Sequence, residues 1–215
     1  MIQLTGKLYS DISRDDLMIN FIKRLSNFFE ITEEERQLLN EKLGIVLSRL
    51  ERCIEGVDNK YFKKDGKAFF SSVHSGQYLM FLYYYSNEIN KYSITLMEKI
   101  YYLNKILHSV DIYGAIELPE SFFFEHPLGL VLGRAKYGNN FFAMQGCTIG
   151  GNKAAYPTLG DNLKMYSNSK ILGNCIIGDN VIVAANTYIK DQDIPTNSMV
   201  FGSSPNLIIK ENRLK

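Results

Sequence analysis

The chain has 215 residues and a mass of 24.6 kDa, and its 24 Lys and Arg residues nearly balance its 23 Asp and Glu residues. This near-neutral charge excludes a polybasic protein that binds nucleic acid or an anionic membrane through its overall charge. With 46% hydrophobic residues, the composition predicts a globular chain rather than a disordered one.

Compartment and redox state can be predicted from what the printed sequence contains. It has no run of about 18 apolar residues, the length that a membrane-spanning helix needs. Residues 1–7 lack the apolar core of a secretory signal peptide. The cysteines at 53, 147 and 175 have neither the number nor the spacing of a disulfide framework or a zinc site. We therefore expect a cytoplasmic protein with reduced cysteines, no membrane contact and no metal.

Charge and glycine are unevenly distributed along the chain. Residues 1–110 hold 29 of the 47 charged residues and five of the 16 glycines, whereas residues 111–215 hold the remaining 18 and 11. This change in composition predicts two domains, an α-helical domain at 1–110 and a different domain at 111–215.

The first half begins with the spacing of two amphipathic helices, because apolar residues recur every three or four positions. These positions are Leu17, Phe21, Leu25 and Phe28, followed by Leu39, Leu43, Val46, Leu50 and Ile54. Thr32 followed by Glu35 has the arrangement of a capping box, which predicts the start of the second helix. The basic segment 60–67 is expected to end this pattern.

A second helical pair is predicted around a turn at 87–90. Its apolar positions are Tyr78, Leu82, Tyr85 and Ile89, followed by Leu96, Ile100, Leu103 and Leu107. The tyrosines at 83–85 are expected to pack in the core, as aromatic residues at helical spacing usually do. His74 is expected to cap or pack at a helix start, unless an acceptor pocket uses it, and His108 to interact with a helix C-terminus.

The second half has a period of six residues. Apolar residues occur at this interval without a gap, at Leu159, Met165, Ile171, Ile177, Val183 and Ile189. Three positions after each of the first five is an asparagine, at Asn162, Asn168, Asn174, Asn180 and Asn186. The next positions, expected to point inward, are Leu163, Ser169, Cys175, Val181 and Thr187. Asn readily adopts left-handed backbone angles, so the pattern predicts a corner every six residues.

The same phase extends towards the N-terminus, before an interruption at 153–158. Apolar positions continue at Tyr137, Ala143 and Ile149 and corner positions at Asn140, Gly146 and Asn152. Further back, the interval of six is kept by Ile112, Leu118, Phe124 and Leu130. Three hexads close a triangular coil of about 18 residues, so the pattern predicts a parallel β-helix of about four to five coils. An ordinary β-sandwich would instead alternate with a period of two.

Several segments of the second half carry a family resemblance. They are the aliphatic-glycine repeat starts at 149, 159 and 177, EHPLGLVLG at 125–133, CTIGG at 147–151, KILGN at 170–174 and FGSSP at 201–205. Together they resemble the serine O-acetyltransferases among the hexapeptide-repeat acyltransferases, over residues 111 to about 209. The resemblance implies an α+β fold, in which an N-terminal α-helical domain precedes a left-handed parallel β-helix of about four to five coils.

The resemblance also implies an activity. Enzymes of this family transfer an acetyl group directly from acetyl-CoA to a hydroxyl group and work as homotrimers with sites between subunits, so a homotrimer or a dimer of trimers is expected. The family motif assigns the general base to His126 and its orienting carboxylate to Asp111, fifteen residues earlier. A histidine suits this task, because a base with a pKa near 7 can take the proton of the attacking hydroxyl.

Contacts with acetyl-CoA are implied at Gly150, Gly151, Ser167 and Ala185. Glycine N–H groups would hold the thioester oxygen as it becomes negative, and small side chains would leave room for the pantetheine arm. Tyr166 stands where the family usually has glycine, which is a departure from the pattern of this channel.

The acceptor side departs further from the family. Its Arg-His-Pro segment, which provides a cation for an amino-acid carboxylate, is matched here by Ala-Tyr-Pro at 155–157 in a loop about four residues shorter. Loss of a charge-assisted bond to a buried carboxylate costs about 1.5–3 kcal/mol. L-Serine and a sugar hydroxyl are therefore both open as acceptors. Glu125 and Tyr156 are the acceptor-binding candidates, and a sugar would also suit Tyr166 and Gln145.

Two other functions are also consistent with the sequence. One is O- or N-acetylation of a sugar, a nucleotide sugar or a surface polysaccharide of the capsule or O-antigen type, which uses the same fold and base. The other is an inactive β-helix scaffold. The presence of both Asp111 and His126 speaks against a scaffold, because an inactive chain has no need of either residue.

Overall fold

The computed structural model describes residues 1–213 and has two compact units. The first contains 1–108 and 113–115, and the second contains 109–112 and the residues from 116 onward. The boundary predicted after residue 110 lies in the segment where residues alternate between the units. Within the described residues, no helix combines the length and the apolar composition that crossing a bilayer requires.

Four α-helices dominate the first unit: α1 (Arg14–Ser26), α2 (Glu33–Gly56), α3 (Ser75–Ile89) and α4 (Ile94–His108). Most of the periodic apolar residues predicted for them are buried. Two are not, because Phe28 lies beyond the end of α1 and is 51% exposed, and Leu107 on α4 is 42% exposed. The predicted turn at 87–90 is also displaced, since α3 continues to Ile89 and the turn follows it.

The capping box predicted at the start of α2 is confirmed. Thr32 Oγ1 accepts a hydrogen bond from the Glu35 N–H at 3.3 Å, and the Glu35 carboxylate accepts one from the Thr32 N–H at 3.0 Å. Lys99 holds the same carboxylate at 2.7 Å. These bonds satisfy backbone donors that the first helical turn would otherwise leave unpaired.

Replacing Thr32 by alanine is expected to destabilise the protein by about 1 kcal/mol, because the Glu35 N–H loses its acceptor. The measurement is the midpoint of urea unfolding. Thr32→Ser, which keeps the hydroxyl, should stay close to the parent. Equal losses for both variants would mean that the threonine methyl group, rather than the hydrogen bond, matters at this position.

Helix α3 is the core of the first unit, since residues 76–89 are buried on all sides of the helix. The core location predicted for the tyrosines at 83–85 is confirmed. Tyr85 Oη donates to the Leu39 carbonyl at 2.9 Å, and burial raises the pKa of Tyr85. The buried Glu88 carboxylate pairs with Lys91 Nζ at 2.6 Å, as a buried charge requires.

The two histidines of this unit are structural. His74 Nδ1 accepts a hydrogen bond from the Gln77 N–H at 3.3 Å, which confirms the predicted cap of α3. His108 ends α4 as expected, but burial lowers its pKa to about 4. Its Nδ1 lies 2.7 Å from Asn104 Oδ1. His108 is therefore neutral at pH 7, and the predicted charge interaction with the helix C-terminus is wrong.

The lowered pKa of His108 predicts a dependence of stability on pH. Between about pH 4 and the ordinary histidine pKa of about 6.5, the unfolded chain binds a proton that the folded chain does not. Stability is therefore full above pH 6.5 and is lost as the pH falls towards 4. Urea unfolding of His108→Gln should show a shallower pH dependence than the parent over this window. Parallel curves would contradict the assignment.

A four-stranded sheet in the first unit was not predicted. It contains β1 (Ile2–Gln3), β2 (Tyr9–Ser10), β3 (Lys63–Lys64) and β4 (Lys67–Phe70), in the order β1-β2-β4-β3. A short 3₁₀ helix, Lys60–Phe62, precedes β3. The basic segment 60–67 therefore ends the helical pattern, as expected, by turning into an antiparallel pair of strands.

The second unit is a parallel β-helix with three faces. Face 1 stacks β5 (Asp111–Ile112), β7 (Val131–Leu132), β9 (Thr148–Gly150), β12 (Lys170–Leu172) and β15 (Tyr188–Lys190). Face 2 stacks β6 (Phe122–Glu125), β8 (Phe141–Met144), β11 (Lys164–Met165), β14 (Ile182–Val183) and β16 (Ser198–Ser203). Face 3 contains β10 (Thr158–Leu159) and β13 (Ile176–Ile177), extended by bridges at 136 and 194. The last strand, β17 (Asn206–Glu211), pairs antiparallel with β16.

The predicted hexads match the coils over most of this unit. All six apolar residues from Leu159 to Ile189 are buried, as are the five residues predicted to point inward. Left-handed angles occur at Asn140, Asn162, Asn168, Asn180 and Asn186, with φ between 55° and 61°. Asn152 and Asn174 are exceptions. Lys153 and Ala154 adopt left-handed angles in place of Asn152, and Gly173 adopts one in place of Asn174.

Corner asparagines also bond to one another through their side chains. Asn140 Nδ2 donates to Asn162 Oδ1 at 3.0 Å, Asn162 to Asn180 at 2.9 Å and Asn180 to Asn197 at 3.0 Å. Each amide therefore ties its coil to the next. This ladder explains why asparagine, rather than glycine, occupies this column of corners.

Candidate functional site

His126 lies on an enlarged corner between face 2 and face 1. The inward residues on either side of it, Phe124 and Leu132, are eight positions apart, whereas the corresponding pair in the next coil, Ala143 and Ile149, are six apart. The two additional residues form an outward bulge, and His126 itself is exposed with a left-handed φ of 49°. This change of spacing corrects the predicted phase, because Leu132, which pairs with Ile149, holds the hexad position predicted for Leu130, although Leu130 is buried as well.

Successive coils stack on this corner, which we call the His126 corner and which consists of 126–130, 145–147, 167–169 and 185–187. Its backbone is joined by the bonds Gly129 N–H to Ser109 O, Gly146 N–H to Leu128 O, Asn168 N–H to Gln145 O and Asn186 N–H to Ser167 O, each 2.8 to 2.9 Å long. Ser167 is half-buried and Ala185 is exposed. Three residues that were predicted separately therefore share one edge of the β-helix.

Asp111 lies beneath this corner on β5. Its N–H donates to the Leu130 carbonyl at 2.8 Å, and it pairs in register with Val131. The next residue, Ile112, points into the core, so the Asp111 side chain is on the outer surface of face 1. The fold thus brings the segment of Asp111 next to the corner of His126, although fifteen residues separate them in the chain.

Glu125 is the last residue of β6 and immediately precedes His126. It is half-buried and pairs in register with Met144 of the next coil. Phe124 points inward, so the Glu125 carboxylate is on the outer surface of face 2. It is therefore available to an acceptor that approaches the His126 corner.

Gly150, Gly151 and Tyr156 lie on a different corner, where face 1 turns into face 3. We call it the Tyr156 corner; it consists of 133–135, 150–157, 173–175 and 191–193. Gly146 on the first corner and Gly151 on the second are five residue steps apart, which span about 16 Å at about 3.3 Å per residue. A single chain therefore does not bring His126 and the two glycines together.

The Tyr156 ring covers Gly151. A Cβ atom at residue 151 would lie 2.6 Å from the ring, so only glycine fits there. A tight turn at 152–155 returns the chain to this position, with bonds of 3.0 and 2.9 Å between Asn152 and Ala155. The loop that was predicted to be about four residues shorter than the family's contains this turn.

One cation on the Tyr156 corner was not predicted from the sequence. Arg134 Nη1 donates to Tyr156 Oη at 3.4 Å, and its guanidinium carbon is 5.8 Å from the centre of the Tyr156 ring. The two residues are 22 positions apart, because the coil between them holds the four residues of the turn in addition to its 18. If the turn is counted in the length of this coil, the sequence predicts that Arg134 and Tyr156 are neighbours.

No cluster that could hold a metal was found in the described chain, 1–213, where groups of three or more His, Cys, Asp or Glu side chains were sought. The cysteines at 53, 147 and 175 are buried as free thiols. Burial raises the pKa of Cys175.

Comparison with known proteins confirms the resemblance seen in the sequence. A model described as bacterial transferase hexapeptide (six repeats) matches residues 156–191. The serine acetyltransferase of Staphylococcus epidermidis is 30% identical over 116 residues, which are 52% of this chain and 54% of that protein. The chain therefore spans about half the length of the curated relatives it matches.

Solved structures confirm the predicted fold. The serine acetyltransferase of Vibrio cholerae superposes with a TM-score of 0.72 at 17% identity, covering 95% of this chain and 82% of that structure. A serine acetyltransferase in complex with CoA gives a TM-score of 0.70 at 17% identity, with coverage of 90% and 83%. The chain thus has the predicted α+β fold, N-terminal helices followed by a left-handed parallel β-helix of about five coils.

Proposed function

We propose that this chain is an acetyl-CoA-dependent O-acetyltransferase that acetylates the hydroxyl of L-serine. The observation that carries the proposal is the enlarged His126 corner, which exposes an imidazole beside the strand of Asp111. The resemblance to serine acetyltransferases, one of them in complex with CoA, supports the donor and the acceptor.

The proposed reaction is a direct transfer. The serine hydroxyl oxygen attacks the thioester carbonyl carbon while its proton moves to the His126 imidazole, so that the C–O bond forms without a free alkoxide. The tetrahedral intermediate then collapses, the C–S bond breaks, and the imidazolium returns the proton to the sulfur of CoA. The products are O-acetylserine and CoA. The role proposed for Asp111 is to accept a hydrogen bond from the other ring nitrogen and to stabilise the imidazolium.

In this proposal, the glycine N–H groups that stabilise the oxyanion come from a second subunit. The His126 corner of one subunit would face the Tyr156 corner of its neighbour, so that Gly150 and Gly151 approach the carbonyl that His126 serves. Ser167 and Ala185 would line the path of the pantetheine arm. A homotrimer satisfies this geometry at every interface. Light scattering should then give three times 24.6 kDa, or twice that mass if trimers pair.

A cytoplasmic location is part of the proposal. The cysteines at 53, 147 and 175 are free, and free thiols persist in reducing compartments.

Thiol release from acetyl-CoA tests the proposed acceptor. The purified chain should release CoA in the presence of L-serine and little with homoserine, free sugars, nucleotide sugars or oligosaccharides. Turnover with a sugar and none with L-serine would replace the proposed acceptor by a glycan. Absence of turnover with every acceptor, from a protein that still binds acetyl-CoA, would favour the scaffold.

A further inference from the structure

Arg134 is a cation without a carboxylate partner. It follows β7 on the Tyr156 corner, and its side chain is exposed. Its guanidinium contacts the hydroxyl and the ring of Tyr156 and, within residues 1–213, forms no ion pair. A guanidinium has five N–H donors, so most of those on Arg134 face away from the single bond to Tyr156.

The neighbouring lysines are placed differently. Lys153 is at the tip of the turn and Lys190 ends β15, and both favour the charged form of the Asp191 carboxylate. The pKa of Asp191 is lowered mainly by the hydrogen bond from the Asn174 N–H, with these lysines as smaller causes. Of these three cations on or beside the Tyr156 corner, Arg134 is the one that does not act on Asp191.

Tyr156 orients Arg134. Its ring packs over Gly151, and its hydroxyl accepts from Nη1, so the guanidinium lies close to the two glycines. A planar guanidinium is suited to a carboxylate, which it can bind through two parallel N–H bonds.

We infer that Arg134 binds the carboxylate of the amino-acid acceptor and thereby determines specificity for serine over neutral alcohols. The inference rests on the proposed function, because it assumes an acceptor with a carboxylate. It also identifies a cation for the acceptor, which the Ala-Tyr-Pro segment at 155–157 does not contain. In this proposal Arg134, which lies in the coil beneath that segment, provides the charge instead.

Kinetics of Arg134→Gln test this role. We expect the KM for L-serine to rise about 10- to 100-fold, the effect of losing a charge-assisted hydrogen bond, with the KM for acetyl-CoA unchanged. Arg134→Lys should recover part of the loss, since it keeps the charge without the planar fork. Lys153→Gln is the matched control, because it removes the same charge from the same corner and should leave both constants unchanged.

L-Serinamide has the hydroxyl and amine of serine but no carboxylate. Comparing it with L-serine therefore shows whether the carboxylate is the group that Arg134 binds. The parent should prefer L-serine to L-serinamide by about 10- to 100-fold, and Arg134→Gln should abolish the preference by weakening only serine. An unchanged preference in the variant would overturn the inference. So would a rise confined to the KM for acetyl-CoA, which would assign Arg134 to a phosphate of CoA. A parent without serine activity would instead reject the proposed function.

Discussion

Replacement of His126 by asparagine is expected to lower kcat/KM for acetyl transfer by about 10²- to 10⁴-fold, the usual contribution of a positioned general base. Asparagine cannot take the hydroxyl proton near pH 7, but it tolerates the left-handed angle of residue 126 and already occupies six corners of this β-helix at similar φ. The variant should therefore fold like the parent. The rate is measured by serine-dependent thiol release under limiting acetyl-CoA.

The matched control is the same substitution at His74. Asparagine is itself a good N-cap, so His74→Asn should retain both the cap of α3 and the activity. If His126→Asn kept parent activity, another group would have to be the base.

The largest expected effect on stability is at Gly160. Gly138, Gly160 and Gly178 stack in successive coils, and a Cβ atom on each would overlap the backbone of the coil above it. At Gly160 this backbone belongs to Gly178 and Asp179. Coil spacing is fixed by parallel hydrogen bonds, so the overlap cannot be relieved locally. Gly160→Ala is expected to destabilise the β-helix by about 2–3 kcal/mol.

Thermal unfolding of Gly160→Ala measures this effect, and Gly150→Ala provides the control within the same unit. A Cβ atom on Gly150 would meet the Leu172 side chain at 3.5 Å, an ordinary contact, so its stability should stay near that of the parent. If the two variants had the same melting temperature, the coils would be less closely spaced at Gly160 than the backbone contacts indicate.

The repeat made most of the β-helix predictable. A coil has only a few inward positions and a corner every six residues, so apolar residues and asparagines in phase fix both the topology and the register. Two of the three departures in phase have one cause, which is residues added between strands. Two extra residues at the His126 corner moved the hexad position from Leu130 to Leu132, and the turn at 152–155 moved the left-handed corner from Asn152 to its neighbours. In the third, the left-handed corner falls on Gly173 instead of Asn174.

The small sheet of the first unit had no comparable signal. Three of its strands, β1, β2 and β3, have two residues each, which is too short for a visible alternation. His108 was placed correctly at the end of α4, but its charge depends on burial against other helices and could not be predicted from its position.

The residue types of the candidate site could be predicted from the sequence, but only part of their arrangement on the β-helix could. His126, Ser167 and Ala185 share one corner because successive coils stack there, whereas Gly150 and Gly151 belong to the next corner. Arg134 escaped notice because its partner is one enlarged coil away and no local motif contains both. Physical adjacency in a β-helix depends on the length of every coil, so a four-residue turn changes which residues meet.

The proposed reaction is direct acetyl transfer to the serine hydroxyl with His126 as the base. Its most direct test is mass spectrometry after incubation of the purified protein with L-serine and acetyl-CoA labelled with ¹³C in the acetyl group. We expect labelled O-acetylserine in amounts equal to the released CoA, unlabelled protein, and almost no labelled product from His126→Asn. Labelled acetyl found on the protein, or only on an acceptor other than serine, would contradict it.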